Sequence, residues 1–124
     1  MKLNLSSIIL FVQNADRLKA FYVGILKLDI AEESPGWLLL KAGSCNIGLH
    51  KMGSQYLDTT KGEFKFDNNT KLVFEIEDNI HTVRQQLLDE NIVMREIKTF
   101  DNYNYLLCDG EDPEGNVFQL KQKK

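Results

Sequence analysis

The sequence predicts an α+β protein in which one βαβββ module is written twice around a cleft. Three observations predict it. Stretches of period-two alternation are interrupted twice by apolar residues at helical spacing, and the order strand, helix, three strands is the same before and after a long connector. The last strand leaves a sharp turn, Asp112-Pro113-Glu114-Gly115-Asn116, where proline fixes φ and glycine supplies a left-handed residue. One helix per module covers one face of four strands, so the opposite face must be buried elsewhere or line a cleft. A single domain over 1–124 follows, with module one at about 4–52, the connector at about 53–69 and module two at about 70–122.

In chain order, 7–13 alternates, with Ile8, Leu10 and Val12 on one face and Ser7, Ile9 and Phe11 on the other. Asn14 is a good helix N-cap and Asp16 suits the first turn, while Leu18, Phe21, Tyr22 and Ile25 recur at helical spacing to about Leu26. Strands are expected at 28–33, 37–41 and 46–51, separated by Ser34-Pro35-Gly36 and Ala42-Gly43-Ser44. The connector has no sustained period and is long for a loop, which suits a lid, although Tyr56, Phe64 and Phe66 could equally anchor it. From Thr70 the pattern repeats. Leu72, Phe74 and Ile76 oppose Lys71, Val73 and Glu75, Asp78 is placed to cap a helix bearing Ile80, Val83 and Leu87, and Asn91 suits the left-handed position after it. Strands at 92–98 and 103–108 then lead to a turn expected over 109–116 and to the strand from Val117, with Phe118 and Leu120 facing the core and Gln119 the other way.

Composition removes several function classes. Apolar residues at 43% and charged residues at 27% describe a chain of 124 residues that can bury a core, and no apolar run is long enough to span a membrane. Net charge is −3 and the only lysine cluster is Lys121, Lys123 and Lys124 at the terminus, so no nucleic-acid footprint is present. The amino terminus lacks a small-residue cleavage site and flows into a helix signal, which implies a cytoplasmic protein. Cys45 and Cys108 have no metal-spaced partners and read as reduced packing residues.

The stretch 8–28, IILFVQNADRLKAFYVGILKL, with 72–93 and the DPEGN at 112–116 followed by Val117-Phe118-Gln119-Leu120, resembles the vicinal oxygen chelate superfamily, which includes glyoxalase, extradiol dioxygenases, fosfomycin-resistance enzymes and bleomycin-resistance proteins. The resemblance implies the glyoxalase/bleomycin-resistance fold, two βαβββ modules forming a cleft-shaped, partly open β-barrel, over nearly the whole chain. It departs at Lys27, where a glycine is usual. Metal-dependent members place His, Gln or Glu at the start of each module's first strand and Glu near the middle of its last. The matching positions here are Ser7, Gly48, Lys71 and Gln119, and serine, glycine and lysine are poor cation ligands. No metal and no cofactor are therefore expected. A displaced set of His50, Glu75 and Gln119 is the alternative, while His81 reads as a surface or cap residue.

Alternation points Ile9, Phe11, Val73 and Val117 at the open face, and Trp37, Tyr103 and Tyr105 lie on strands at its mouth. Aromatic rings stack flat organic ligands, and Lys71, Glu75, Gln119 and His50 could fix orientation. An inward Lys71 needs an anion, a ligand carbonyl or a polar partner such as Gln119. The expected protein is a homodimer that binds a small organic molecule without metal, closest in character to the bleomycin-resistance branch, with ligand-binding residues Phe11, Trp37, His50, Lys71, Glu75, Tyr103, Tyr105 and Gln119. The acidic second half makes a cationic ligand the first guess. Two alternatives remain: a metal-dependent lyase, isomerase or transferase with displaced ligands, and a non-catalytic protein-interaction domain.

Overall fold

The chain is described by a computed structural model covering residues 1–2, 4–53 and 70–124. It divides into two compact units whose boundary falls within 54–69. Nearly all of the expected connector, with Tyr56, Phe64 and Phe66, lies outside the described residues.

The first unit contains β1 (Ser7–Val12), α1 (Ala15–Lys19), a π-helical segment (Ala20–Ile25), β2 (Asp29–Ser34), β3 (Trp37–Ala42) and β4 (Cys45–Lys51), with sheet order β1-β4-β3-β2. β1 runs parallel to β4, as it must when a helix carries the chain across, and the remaining pairs are antiparallel. Leu10, Val12, Leu38, Leu40, Ile47 and Leu49 are buried on one face, and Leu18, Phe21 and Tyr22 are buried on the helical segment. Burying each such side chain contributes about 1.5–3 kcal/mol. Asn14 caps α1 as expected, its Oδ1 accepting from Arg17 N at 3.1 Å.

The helix does not stay α-helical to Leu26. Leu26 N donates to Phe21 O at 2.9 Å, a five-residue turn that widens the coil and lets the neighbouring rings of Phe21 and Tyr22 both reach the core, edge to face at 4.8 Å. Lys27 then takes φ 64, the left-handed conformation expected where a glycine is usual.

The second unit contains β5 (Lys71–Ile76), α2 (Ile80–Asp89), β6 (Val93–Met94), β7 (Tyr105–Glu111) and β8 (Val117–Lys123), in the order β5-β8-β7-β6 with β5 parallel to β8. Leu72, Phe118, Leu120 and Cys108 are buried with Ile80 and Leu87 of α2. Each unit is thus one helical element on a four-stranded mixed sheet, and the α+β class and doubled module are observed.

Several boundaries move. The cap of α2 is Asn79, not Asp78: helical φ/ψ begin at Ile80, so the residue just before it, still extended, offers Oδ1 to His81 N and Thr82 N. Ile80 N is satisfied from another element, donating to Gln122 Oε1 of β8 at 2.7 Å. Asn91 sits at φ 62 after the helix, as expected.

The strand expected at 92–98 shrinks to two residues. Arg95 N bonds Asp109 O and Lys98 N bonds Leu107 O, so three steps on one side oppose two on the other and the ladder breaks between them. The strand expected from Tyr103 begins at Tyr105, because Tyr103 closes a turn onto Phe100 O through Asn102 at φ 62. It also runs on to Glu111, pairing Asp109 with Gln119, so the turn is 112–116 rather than 109–116. That turn is closed by Asp112, whose Oδ1 accepts from Glu114 N and Asn116 N and whose Oδ2 accepts from Asn116 Nδ2, all at 2.9 Å, with Gly115 at φ 84.

Candidate functional site

The residues expected at a ligand site fall into two groups, one on each sheet. On the first sheet, pairing aligns Phe11 with His50 and His50 with Trp37, so three rings form one row across β1, β4 and β3. The ring centroids of Phe11 and His50 are 5.6 Å apart, and those of Trp37 and His50 are 6.0 Å apart at 79°. Phe11 is 58% exposed, and with His50, Lys51, Met52 and Gly53 it lines a shallow hollow.

The next row along that sheet holds Ile9, Gly48 and Leu39. The Trp37 indole lies over Gly48: a Cβ built there would be 2.6 Å from Trp37 Cη2 and 3.2 Å from Ile9 Cγ1. Trp37 Nε1 donates to Glu32 Oε2 at 3.2 Å.

On the second sheet, Lys71, Val73 and Glu75 share a face with Gln119, Lys121, Asp109 and Tyr105, as the register of β5, β8 and β7 requires. Its centre is a residue the sequence reading missed. Asp109 Oδ2 accepts from Lys71 Nζ at 2.9 Å, its Oδ1 accepts from Gln119 Nε2 at 2.8 Å, and Lys98 Nζ stands 3.8 Å away. The Asp109 side chain is 10% exposed and that of Lys71 41%. Burial alone would raise the Asp109 carboxyl, but hydrogen bonds from Lys71 and Gln119 and the charges of Lys71 and Lys98 outweigh it and hold the group below the usual carboxylate range. The anion that Lys71 needs is thus supplied from within the sheet. Placing Asp109 in the turn hid it, whereas extending the strand by one pair would have set it beside Gln119.

The other end of this face is aromatic. Lys121 Nζ sits 4.2 Å from the Tyr105 ring centroid, and Tyr103 packs against Tyr105 with centroids 5.6 Å apart. Glu75 pairs in register with Lys121, two positions from the Val73 and Gln119 pair, and Val73 is 53% exposed.

The fold has many solved counterparts. Lactoylglutathione lyase from Agrobacterium tumefaciens superposes with a TM-score of 0.73 at 17% identity, covering 94% of this chain and 91% of that one. FosX, a fosfomycin resistance protein from Listeria monocytogenes, gives 0.78 at 14% identity over 100% and 96% of the two chains. TnmS3, an antibiotic binding protein from Streptomyces sp. CB03234, gives 0.72 at 18% identity over 100% and 98%. This chain has the vicinal oxygen chelate fold. No family model matches the chain, and no curated protein matches it.

Metal-dependent vicinal oxygen chelate proteins set the test for the four ligand positions, and the residues here do not fit a divalent cation. Gly48 has no donor and its space is taken by an indole; Lys71 brings an ammonium already paired with Asp109; Ser7 brings a neutral hydroxyl. Gln119 alone could ligate through oxygen, and it sits beside that ammonium. Of the displaced set, Glu75 and Gln119 share a face of the second sheet and His50 belongs to the first. Among the described residues no group of three or more His, Cys, Asp or Glu is placed to hold a metal ion, and no helix is long and apolar enough to cross a membrane. His81 lies exposed in the first turn of α2, and Cys45 and Cys108 are free thiols.

Proposed function

We propose that this chain is a metal-independent small-molecule-binding protein that sequesters a planar organic compound rather than turning it over. The observation that carries the reading is the Lys71–Asp109–Gln119 cluster. Where metal-dependent relatives offer two ligand positions, this chain has a cation already neutralised by a buried carboxylate and a carboxamide donating to that same carboxylate. The exposed ring row of Phe11, His50 and Trp37, and the Tyr103–Tyr105 pair on the second sheet, supply the stacking surfaces. A fold counterpart described as an antibiotic binding protein supports binding as a use of this scaffold. Exposed Ile9, Phe11 and Val73 also support a homodimer, and the two free thiols a reducing, cytoplasmic setting.

The test is elemental analysis of dialysed protein, combined with a thermal-shift screen of planar aromatic compounds run with and without EDTA. We expect substoichiometric metal and ligand-induced gains in Tm that EDTA leaves unchanged. Stoichiometric Zn, Mn, Ni or Fe that is lost in His50→Ala would instead establish the metal-dependent lyase, isomerase or transferase reading. A screen with no gain, alongside capture of a protein partner, would favour an interaction domain. Light scattering checks the dimer.

A further inference from the structure

Two features of the first unit, and a bond that one of them permits, converge on one side chain, the only tryptophan of the chain. The first is Gly48, whose missing Cβ leaves the space that the Trp37 indole fills. A methyl there would meet ring carbon at 2.6 Å, closer than real Cβ contacts come, so the ring would have to tip away. The second is a β-bulge. Pairing of β2 with β3 runs Asp29↔Lys41 and Ile30↔Leu40, then skips Ala31, so that Glu32 faces Leu39. Without the bulge Glu32 would stand opposite Leu38, on the face that carries Leu38 and Leu40; with it that place goes to Glu33, which pairs with Lys19. The extra residue rotates Glu32 onto the indole face. The bond this permits runs from Trp37 Nε1 to Glu32 Oε2 at 3.2 Å. β2 is an edge strand, where bulges are common, and here the bulge also brings a carboxylate to the indole. A glycine in mid-strand weakens the strand unless something approaches it closely.

We infer that Gly48 and Glu32 are positioning residues that hold Trp37 flat as a stacking platform, and that the ligand is a planar aromatic cation lying on the indole with its charge at Glu32. This rests on the small-molecule reading and narrows its ligand class. The indole face attracts a delocalised cation through its quadrupole, and the carboxylate at its rim adds charge. Pre-organisation matters because a ring already fixed by a hydrogen bond and a shaped floor loses little freedom when a ligand lands on it.

The experiment uses the full chain with 9-aminoacridine as the cationic probe and acridine-9-carboxylate as its anionic counterpart, followed by calorimetry and by emission of Trp37. The free protein should already report the device. In Gly48→Ala and in Glu32→Ala, Trp37 emission should shift to the red and become more open to acrylamide, while Glu32→Gln, which keeps an acceptor for Nε1, should restore the wild-type spectrum. With ligand, 9-aminoacridine should quench Trp37 and bind wild type at least about tenfold more tightly than either alanine variant, the size expected for losing one good stacking contact. It should also bind at least about tenfold more tightly than the carboxylate, and Glu32→Gln should erase that preference. If Gly48→Ala fails to fold, Glu32→Ala on the exposed strand β2 decides. Saturable binding that leaves Trp37 emission untouched and is unaffected in Glu32→Ala would overturn this inference and leave small-molecule binding standing. Absence of binding by either acridine, with no hit in the wider screen, would overturn both. Equal affinity for the two acridines would overturn the assigned ligand charge.

Discussion

Replacing Asp109 by asparagine keeps the shape of the side chain and removes its charge. Lys71 then loses a charge-assisted bond of 2.9 Å, and Gln119 Nε2 faces either the carbonyl oxygen or a second amide donor. A hydrogen bond to a charged group contributes about 1.5–3 kcal/mol. The full cost of breaking a buried pair does not apply here, because Lys71 is 41% exposed and its ammonium can rehydrate. The expected destabilisation at neutral pH is therefore about 1–2 kcal/mol, or roughly 4–8 °C in Tm for a domain of this size. The pH dependence has a definite sign. The folded-state pKa of Asp109 is depressed, so its contribution is fully present above the unfolded-state pKa and fades as pH falls through the folded value. Thermal melts of wild type and Asp109→Asn, followed by circular dichroism from pH 7 down to strongly acidic buffer, should show two curves that converge only below the usual carboxylate range. A gap that is absent at neutral pH, or one that keeps its size in acid, would refute the account of the cluster.

Three further outcomes follow from local geometry. Lys27→Gly should stabilise the chain by about 0.5–1 kcal/mol in a urea melt, since relief of a left-handed lysine at φ 64 exceeds the added entropy of the unfolded glycine. Asn79→Ala should cost about 1 kcal/mol through loss of the α2 cap, and Asp78→Ala nearly nothing; equal effects in the same melt would mean the cap is misassigned. Iodoacetamide followed by mass spectrometry should label Cys45 before Cys108, because burial above all holds the Cys108 thiol up, with Asp109 and Glu96 adding to it against the opposing Arg84, whereas Cys45 is only half-buried.

Much of the architecture was legible because it is written in short-range pattern. Alternation through Ile8, Leu10 and Val12, helical spacing through Leu18 and Phe21, and the Asp112–Asn116 turn gave the element order and the buried face of most strands. The turn worked as a signal because Asp112 closes it with bonds to its own neighbours. Errors gathered where long-range pairing sets a boundary. Asp109 looks like a turn residue until β7 is paired with β8, and 95–98 reads as strand until its ladder is seen to slip against β7.

The candidate site divides in the same way. Phe11 was found by alternation and does form one row with His50 and Trp37, and Lys71 and Gln119 do face one way. Their partners were not found, because a hydrogen bond has no sequence signature when its ends are far apart in the chain.

What the sequence by itself determined is the doubled βαβββ order and the buried face of most strands, since each of these depends on neighbours within one turn or one strand. What only the tertiary structure decided is the pairing of Lys71 with Asp109, the bulge that turns Glu32 toward Trp37, and the indole resting on Gly48. These depend on cross-strand register, and a shift of one residue in that register would send every one of those side chains to the opposite face of its sheet.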